Sequence, residues 1–440
     1  MLNKNDIFRL DLPLIGAVFL SVLIGILAIY STGFSSIDKV NNGLYQKQLI
    51  IFVIGVALMA GISLVSYQRI GEFCLFIYGG VLLLVIFTAI FASSVRGARA
   101  WLHLGPLQLQ SSEFMKLATV ILLAKYLELR EREMHYFREL LVPTVIVIIP
   151  VLLILAQHDL GTSLVFFPIL FVMLFVGGAD VMQLLSIARI AALSLVIPMY
   201  ITYHEWAEAE AGYNHPFVSF IKAGSGPFIV GGILLLIGII AYVVHVILMK
   251  RKLRRIYIPA FVFSLGLMSA TILQRLLQDY QKKRILVFFN PDLDPHGSGY
   301  NVIQSKIAIG SGGFFGKGFL KGSQAQLGFL PEKSTDFIYS VIVEQWGFIG
   351  GLLVLVLLAV IMYKGIMIAL DARDKFAALL ATGITSIFLC HILINLGMVM
   401  GVTPATGIPL SFISYGGSHL LMCLIGVGIL INISMKKFAN

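Results

Sequence analysis

Long apolar runs alternate with short polar connections along the whole chain. The runs lie near 12 to 31, 48 to 66, 73 to 92, 113 to 127, 141 to 157, 160 to 178, 182 to 203, 227 to 249, 256 to 278, 337 to 363, 376 to 399 and 411 to 434. A helix needs about 20 apolar residues to cross about 30 Å of hydrocarbon, so the pattern predicts an all-α polytopic membrane protein of about twelve spans. The fourth and fifth runs are short, and Pro143 and Pro150 interrupt the fifth, which predicts bent or partly buried helices there. The first run is long, follows Asp6 and Asp11 and lacks a small-x-small cleavage pattern; it reads as a retained span and not a cleaved signal. No repeat or linker divides the chain, so one membrane domain is expected over 1–440.

Composition agrees. Of 440 residues, 58% are apolar and 12% charged, against about 25% charged in soluble domains, which excludes a soluble enzyme, a disordered scaffold and a secreted disulfide module. Cys74, Cys390 and Cys423 each sit inside an apolar run without CxxC spacing and read as packed thiols. A net charge of +10 would point a soluble chain toward nucleic acid; in a membrane protein it belongs to the loops. With the N-terminus inside, more than half of the Lys and Arg fall on the cytoplasmic side, from Lys4 and Arg9 through Lys250 to Lys436 and Lys437, as the positive-inside rule requires. Much of the remainder lies in one long outer loop, 279–336, which escapes that rule.

That loop is the richest in candidate chemistry. Residues 300 to 310 set Val302, Ile303, Ile307 and Ile309 among Gln304, Ser305 and Lys306, a pattern for a short interfacial helix. Glycines 310, 312, 313, 316 and 318 follow, with Lys317 and Lys321; they suit either close backbone approach to a phosphate-bearing lipid or a solvated flexible loop. Asp336 closes the loop before the tenth span. Its apolar neighbours would raise its pKa enough for general-base work, and a helix N-cap is the plainer alternative. Glu344 lies inside the span, where a carboxylate faces a polar cavity or forms a structural ion pair.

Elsewhere on the same face, Ser112 is a candidate cap, and Glu113 and Lys116 share a helix face at i, i+3. Arg96, Arg99 and Trp101 sit at the outer interface, with Trp101 a common kind of membrane anchor. Asp159 falls on a tight turn between two spans, where capping is the default. His391 and Asn395, at i, i+4, have the spacing for an interhelical hydrogen bond. Nothing has metal-ligand spacing, a nucleophile elbow or a P-loop.

The strings GARAWLHLGPLQLQSSEFMK, QHDLGTS, GSGYNVIQSKIAIGSGG, FLPEKSTDFIYSVIVEQWG and GIPLSFISYGGS resemble the shape, elongation, division and sporulation (SEDS) family, in order and over most of the chain. QSKIAIGSGGFFGKG and FLPEKSTDF are more similar to its rod-shape branch than to its division branch. The resemblance implies a peptidoglycan glycosyltransferase that polymerises lipid II at the outer face of the bacterial cytoplasmic membrane, for elongation and rod shape. It implies a class B penicillin-binding protein and other elongation-complex proteins as partners, no nucleic acid, and both termini in the cytoplasm. Asp336 matches the family's essential acid, Glu113 and Lys116 its cavity pair, and Asp159 its PDLG aspartate. Four positions depart: Ser334 stands for the usual His, and Ser111, His158 and Gln345 replace a Pro, a Pro and a Glu. The family has ten spans, so a helix pair inserted within 182–255 is expected; its acidic loop, 205–228, matches no family role.

The chemistry implied is an inverting displacement, with a sugar hydroxyl activated by a carboxylate base, for which Asp336 is the candidate. Lys116, Arg99 and Lys306 are candidates to hold pyrophosphate, with Trp101, Asp159, Gln304 and Glu344 as further substrate contacts, and a divalent cation such as Mg or Mn as a possible helper. The competing function is a flippase for the lipid-linked precursor, which would need polar groups on both sides of the midplane.

Overall fold

The computed structural model describes residues 10–34, 43–92, 99–104, 107–134, 137–211, 219–220, 225–249, 251–277, 281–282, 284, 287–288 and 298–436. Lys4, Arg9, Arg96, Lys250, Lys437 and parts of the acidic stretch 205–228 (212–218 and 221–224) lie outside them.

All twelve expected runs are helical. In chain order the helices begin with α1 (Leu12–Gly33), α2 (Leu44–Leu64), the short α3 (Tyr67–Glu72), which lies between two runs, α4 (Cys74–Phe91), α5 (Ser111–Leu129), α6 (Leu141–Ala156), α7 (Leu160–Val176), α8 (Val181–Ala211), α9 (Gly226–Leu248) and α10 (Arg254–Leu276). After two further short helices, α11 (Ser298–Gly312) and α12 (Ser323–Gln326), come α13 (Ile338–Leu370), α14 (Lys375–Met400) and α15 (Gly417–Lys436). Ten of these are long and apolar enough to cross a membrane. The two expected spans outside that set are α5, which carries charge, and α7, of 17 residues. Helix α11 covers the short helix expected at 300 to 310. One element departs from the all-α expectation: β1 (Trp101–Leu104) and β2 (Leu107–Gln110) pair antiparallel, Trp101 opposite Gln110.

By contacts the chain falls into two compact units, Met1–Gly178 with His296–Asn440, and Ala179–Pro295. The second holds the helices of the expected inserted pair, within 182–255, and there α8, α9 and α10 pack on one another. Within that unit Ser264 donates to the Gly231 carbonyl (2.7 Å) and Ser194 meets Ser269 (2.5 Å).

The first unit is built around α5, α14 and α15. In α14 and α15 the apolar window is 72% and 83% buried, against 17% in α4, so those two form the centre and α4 faces outward. Small residues permit the contact: a Cβ on Gly428 would lie 2.7 Å from the Met59 carbonyl of α2. Polar residues set the helix ends. Asp11 caps α1 by accepting from Leu14 N (3.1 Å) and pairs with Lys364 (3.1 Å); Asp374 caps α14 by accepting from Ala377 N (2.8 Å).

Helix α13 breaks at Gly347, whose φ of 69° and ψ of −165° no L-residue adopts without strain. The glycine-rich stretch after α11 fills the break. Lys317 N donates to Glu344 O (3.0 Å), Gly318 N to Gln345 O (2.9 Å), and Phe348 N to Gly313 O (2.9 Å). A Cβ on Gly312 would strike the Val343 carbonyl, and Gly316, at φ 81°, lies against Gln345 and Gly347. These glycines approach the chain's own backbone, not a lipid phosphate, and they satisfy carbonyls and amides that the break would strand.

Two glycines of α11 therefore separate on substitution. Gly312→Ala is expected to cost about 1–3 kcal/mol, as forced overpacking does. Gly310→Ala, with open space around it, should stabilise by about 0.5–1 kcal/mol. Thermal unfolding in detergent distinguishes them by opposite shifts in Tm.

Candidate functional site

Asp336 lies in the turn before α13 and is half-buried. The N-cap of α13 is Phe337, with no side-chain cap, so the capping alternative for Asp336 is not the one adopted. Three consecutive carbonyls of this turn are held from α14 and from the connection between α14 and α15. Ser334 O accepts from Tyr415 N (2.9 Å). Thr335 O accepts from Ser414 Oγ (2.5 Å), and Asp336 O from Asn395 Nδ2 (2.8 Å). Asn395 Nδ2 also donates to Ile408 O (2.7 Å), so both of these bonds go to non-helical backbone and not, as its spacing predicted, to a second helix. On the near side of the turn Thr335 N and Phe337 N both donate to Glu332 O. Lys333 reaches back to the Ala325 carbonyl, and burial pushes its ammonium pKa down.

A second group surrounds Glu113 and Lys116, both buried in α5. Lys116 Nζ donates to Glu113 Oε1 (2.8 Å) and to His391 Nε2 (2.7 Å). An acceptor Nε2 leaves the proton of a neutral His391 on Nδ1, which faces Pro409 O at 3.2 Å. His419 Nδ1 meets the other Glu113 oxygen (2.7 Å), and its Nε2 faces Cys423 Sγ (3.6 Å). The two rings stack with centroids 4.4 Å apart. One carboxylate and one ammonium thus neutralise each other inside the helix bundle, with the remaining lone pairs satisfied by imidazoles. Fully buried and engaged in this way, Lys116 is not presented to a lipid phosphate. His419 was missed in the sequence because its partner is 306 positions away; the available signal was an ionisable residue inside an apolar run.

The third group is the hairpin. Asp159 caps α7, accepting from Thr162 N (3.1 Å) and Thr162 Oγ1 (2.8 Å), and also from Gln110 Nε2 (2.7 Å) at the end of β2. Gln110 N donates to Ser418 Oγ (2.8 Å), one residue before His419. Trp101 is half-buried opposite Gln110, and Arg99 is exposed with its backbone N–H on Gln157 O (3.0 Å). Arg99, Trp101 and Asp159 are therefore brought together by the hairpin.

Gln304 and Lys306 flank Ser305 on α11, which is fixed by Ser305 Oγ to Ser340 Oγ and Val399 O, both at 2.7 Å. Lys306 is exposed and its ammonium end lies over Gly401. Glu344 takes the ion-pair alternative. Its carboxylate accepts from Lys317 Nζ (3.0 Å), Ser323 Oγ (3.1 Å), Gln324 N (2.9 Å) and Ala325 N (3.3 Å), so it anchors the loop and α12 and is not open to substrate.

Among the described residues Glu113, His391 and His419 have ligand atoms within 4.8 Å of one another. They do not fit a resident divalent ion, because the Lys116 ammonium already sits on Glu113 and His391 and repels a second cation.

The fold and its buried charge network define a polytopic all-α membrane protein. The chain belongs to the FtsW, RodA and SpoVE family of cell cycle proteins, whose model matches residues 12–224 and 229–438. It is 36% identical over 428 residues to the peptidoglycan glycosyltransferase RodA of Treponema pallidum (strain Nichols), covering 94% of this chain and 95% of that one. It is 34% identical to stage V sporulation protein E of Bacillus subtilis (strain 168), covering 96% of each. In structure it resembles a chain of a peptidoglycan synthase complex in which polymerization and crosslinking are coordinated, at TM-score 0.67 and 26% identity, over 98% of this chain and 99% of that one. The fold is also that of Thermus thermophilus rod shape determining protein RodA, at TM-score 0.60 and 23% identity, over 98% of each chain.

Breaking the buried pair on one side strands a charge. Lys116→Met should cost about 3–5 kcal/mol, whereas the double change with Glu113→Gln should recover much of it. A double-mutant cycle on thermal unfolding reads the coupling.

Proposed function

We propose that the protein is a RodA-like peptidoglycan glycosyltransferase, polymerising lipid II into glycan strands and releasing undecaprenyl pyrophosphate for cell-wall elongation and rod shape. The observation that carries this reading is likeness over nearly the whole chain to RodA of Treponema pallidum, with Asp336 on a held, half-buried turn.

In the mechanism, Asp336 takes the proton from the sugar 4-hydroxyl of one lipid-linked disaccharide. The oxygen forms its bond to the anomeric carbon of the growing chain from the opposite face, and the bond to pyrophosphate breaks with inversion, the electron pair leaving on the phosphate. Arg99 and Lys306, both exposed, replace buried Lys116 as the cations proposed to stabilise that departing charge. Gln304, beside Lys306, and Trp101, beside Arg99, would contact the substrate. No step is routed through a protein-bound metal.

The reaction is assigned to the outer face of the bacterial cytoplasmic membrane, with both termini cytoplasmic. A class B penicillin-binding protein, with other elongation-complex proteins, is the proposed partner that cross-links the product. Support comes from the likeness to a chain of a peptidoglycan synthase complex and from the basic character of the inner loops. A flippase needs a polar path through the bilayer. The buried carboxylates Glu113 and Glu344 are instead closed into local networks, which favours the enzyme.

Purified protein given lipid II and a class B partner should make long glycan polymer. Asp336→Asn should lower the rate by 100-fold or more, an effect on the order expected for losing a general base. Polymer of equal length and rate from both forms would overturn the assignment.

A further inference from the structure

Asn395 is fully buried on α14, and one atom of it, Nδ2, bridges two segments that are far apart in sequence. Its two N–H bonds reach Asp336 O at 2.8 Å and Ile408 O at 2.7 Å. Only an amide side chain offers two donors on a single neutral nitrogen. One helical turn earlier, His391 meets the next carbonyl, Pro409 O, so α14 presents two polar groups to consecutive carbonyls of the connection. That connection then grips the turn at Thr335 O through Ser414 Oγ and at Ser334 O through Tyr415 N. Ser414 Oγ is itself oriented by accepting from Leu410 N (2.8 Å).

Of the three held carbonyls, only that of Asp336 belongs to the proposed base. A carbonyl bonded at 2.8 Å to a side chain immobilised in the helix core fixes the peptide plane, and with it the Cα–Cβ direction of the carboxylate. A general base must lie within hydrogen-bond reach of the proton it removes, and a misplacement of about 1 Å costs on the order of 100-fold in rate. A held main chain supplies that placement through the peptide, independently of what the carboxylate oxygens bond. We propose that Asn395 is a positioning residue for the glycosyl-transfer step, acting on Asp336 through the peptide carbonyl, with Ser414 as a second, weaker support. The proposal rests on the reading of Asp336 as the base.

The test compares Asn395→Ala with Asn432→Ala. Asn432 is also a buried bridging amide, accepting from Tyr67 N (3.0 Å) and donating to Ser63 O (2.6 Å), but it holds no part of the Asp336 turn. Folded protein of each variant, normalised by thermal unfolding in detergent, is given lipid II and a class B penicillin-binding protein. Asn395→Ala is expected to lower kcat about 10- to 100-fold at nearly unchanged KM, whereas Asn432→Ala lowers Tm and leaves kcat per folded molecule unchanged. If Asn395→Ala does not fold, Ser414→Ala supplies the readout and should lower kcat severalfold, again without raising KM. Equal kcat per folded molecule in the Asn395 and Asn432 variants, or a change confined to KM, overturns the proposal; in the Ser414 fallback, an unchanged kcat does so. Asp336→Asn runs alongside: if it retains polymerisation, the base assignment itself fails, and if only it is inactive, the positioning role alone fails.

Discussion

A main-chain carbonyl or amide left without a partner beside hydrocarbon costs several kcal/mol, and that constraint shapes the parts of this protein that are not helical. The turn carrying Asp336 leaves the helical ladder, so its carbonyls need donors from elsewhere. They come from Asn395, Ser414 and the backbone of Tyr415. The break at Gly347 obeys the same rule through Lys317 N, Gly318 N and Gly313 O. In both places the irregular backbone is answered by groups from elsewhere in the chain, and the segment proposed for chemistry is one of the two.

The buried charges follow a related logic. Glu113 and Lys116 lie at or below 2% exposed, where an unpaired ion would be prohibitive. Their neutralisation consumes the hydrogen-bonding capacity that a metal or phosphate would need. Glu344 is similar, with four donors converging on one carboxylate. These two acids are enclosed and organise structure, whereas Asp336 lies on a half-buried turn, which makes it the better candidate for catalysis.

How much of this was legible depends on range. Apolar runs are local, and every predicted span is a helix. Their ends were less secure. The run from 411 begins as a helix only at Gly417, because residues 411–416 include Ser414 and Tyr415, which hold the Asp336 turn. The tenth run extends to Leu370, past Lys364, since that cation pairs with Asp11 of α1. Glu113 with Lys116, and Asp159 as a cap, were readable from spacing. His419 and the Asn395 link to Asp336 were not, because partners 306 and 59 positions away leave no local signature. Of the loop glycines, Gly312 and Gly316 are sites of close approach to the chain's own backbone, whereas Gly310 and Gly313 have open space around them. The hairpin at 101–110 was hidden among interface residues, and the division after Gly178 left no mark in hydropathy.

The interruption of α13 also bears on mechanics. A continuous helix carries twist along its axis through an unbroken ladder of hydrogen bonds; this one is cut at Gly347 and spliced to a loop. The short piece that begins beside Asp336, Ile338 to Trp346, therefore meets the long rod that continues to Leu370 through the Gly347 peptide and through loop residues Gly313 to Gly318, which bond to both sides of the cut.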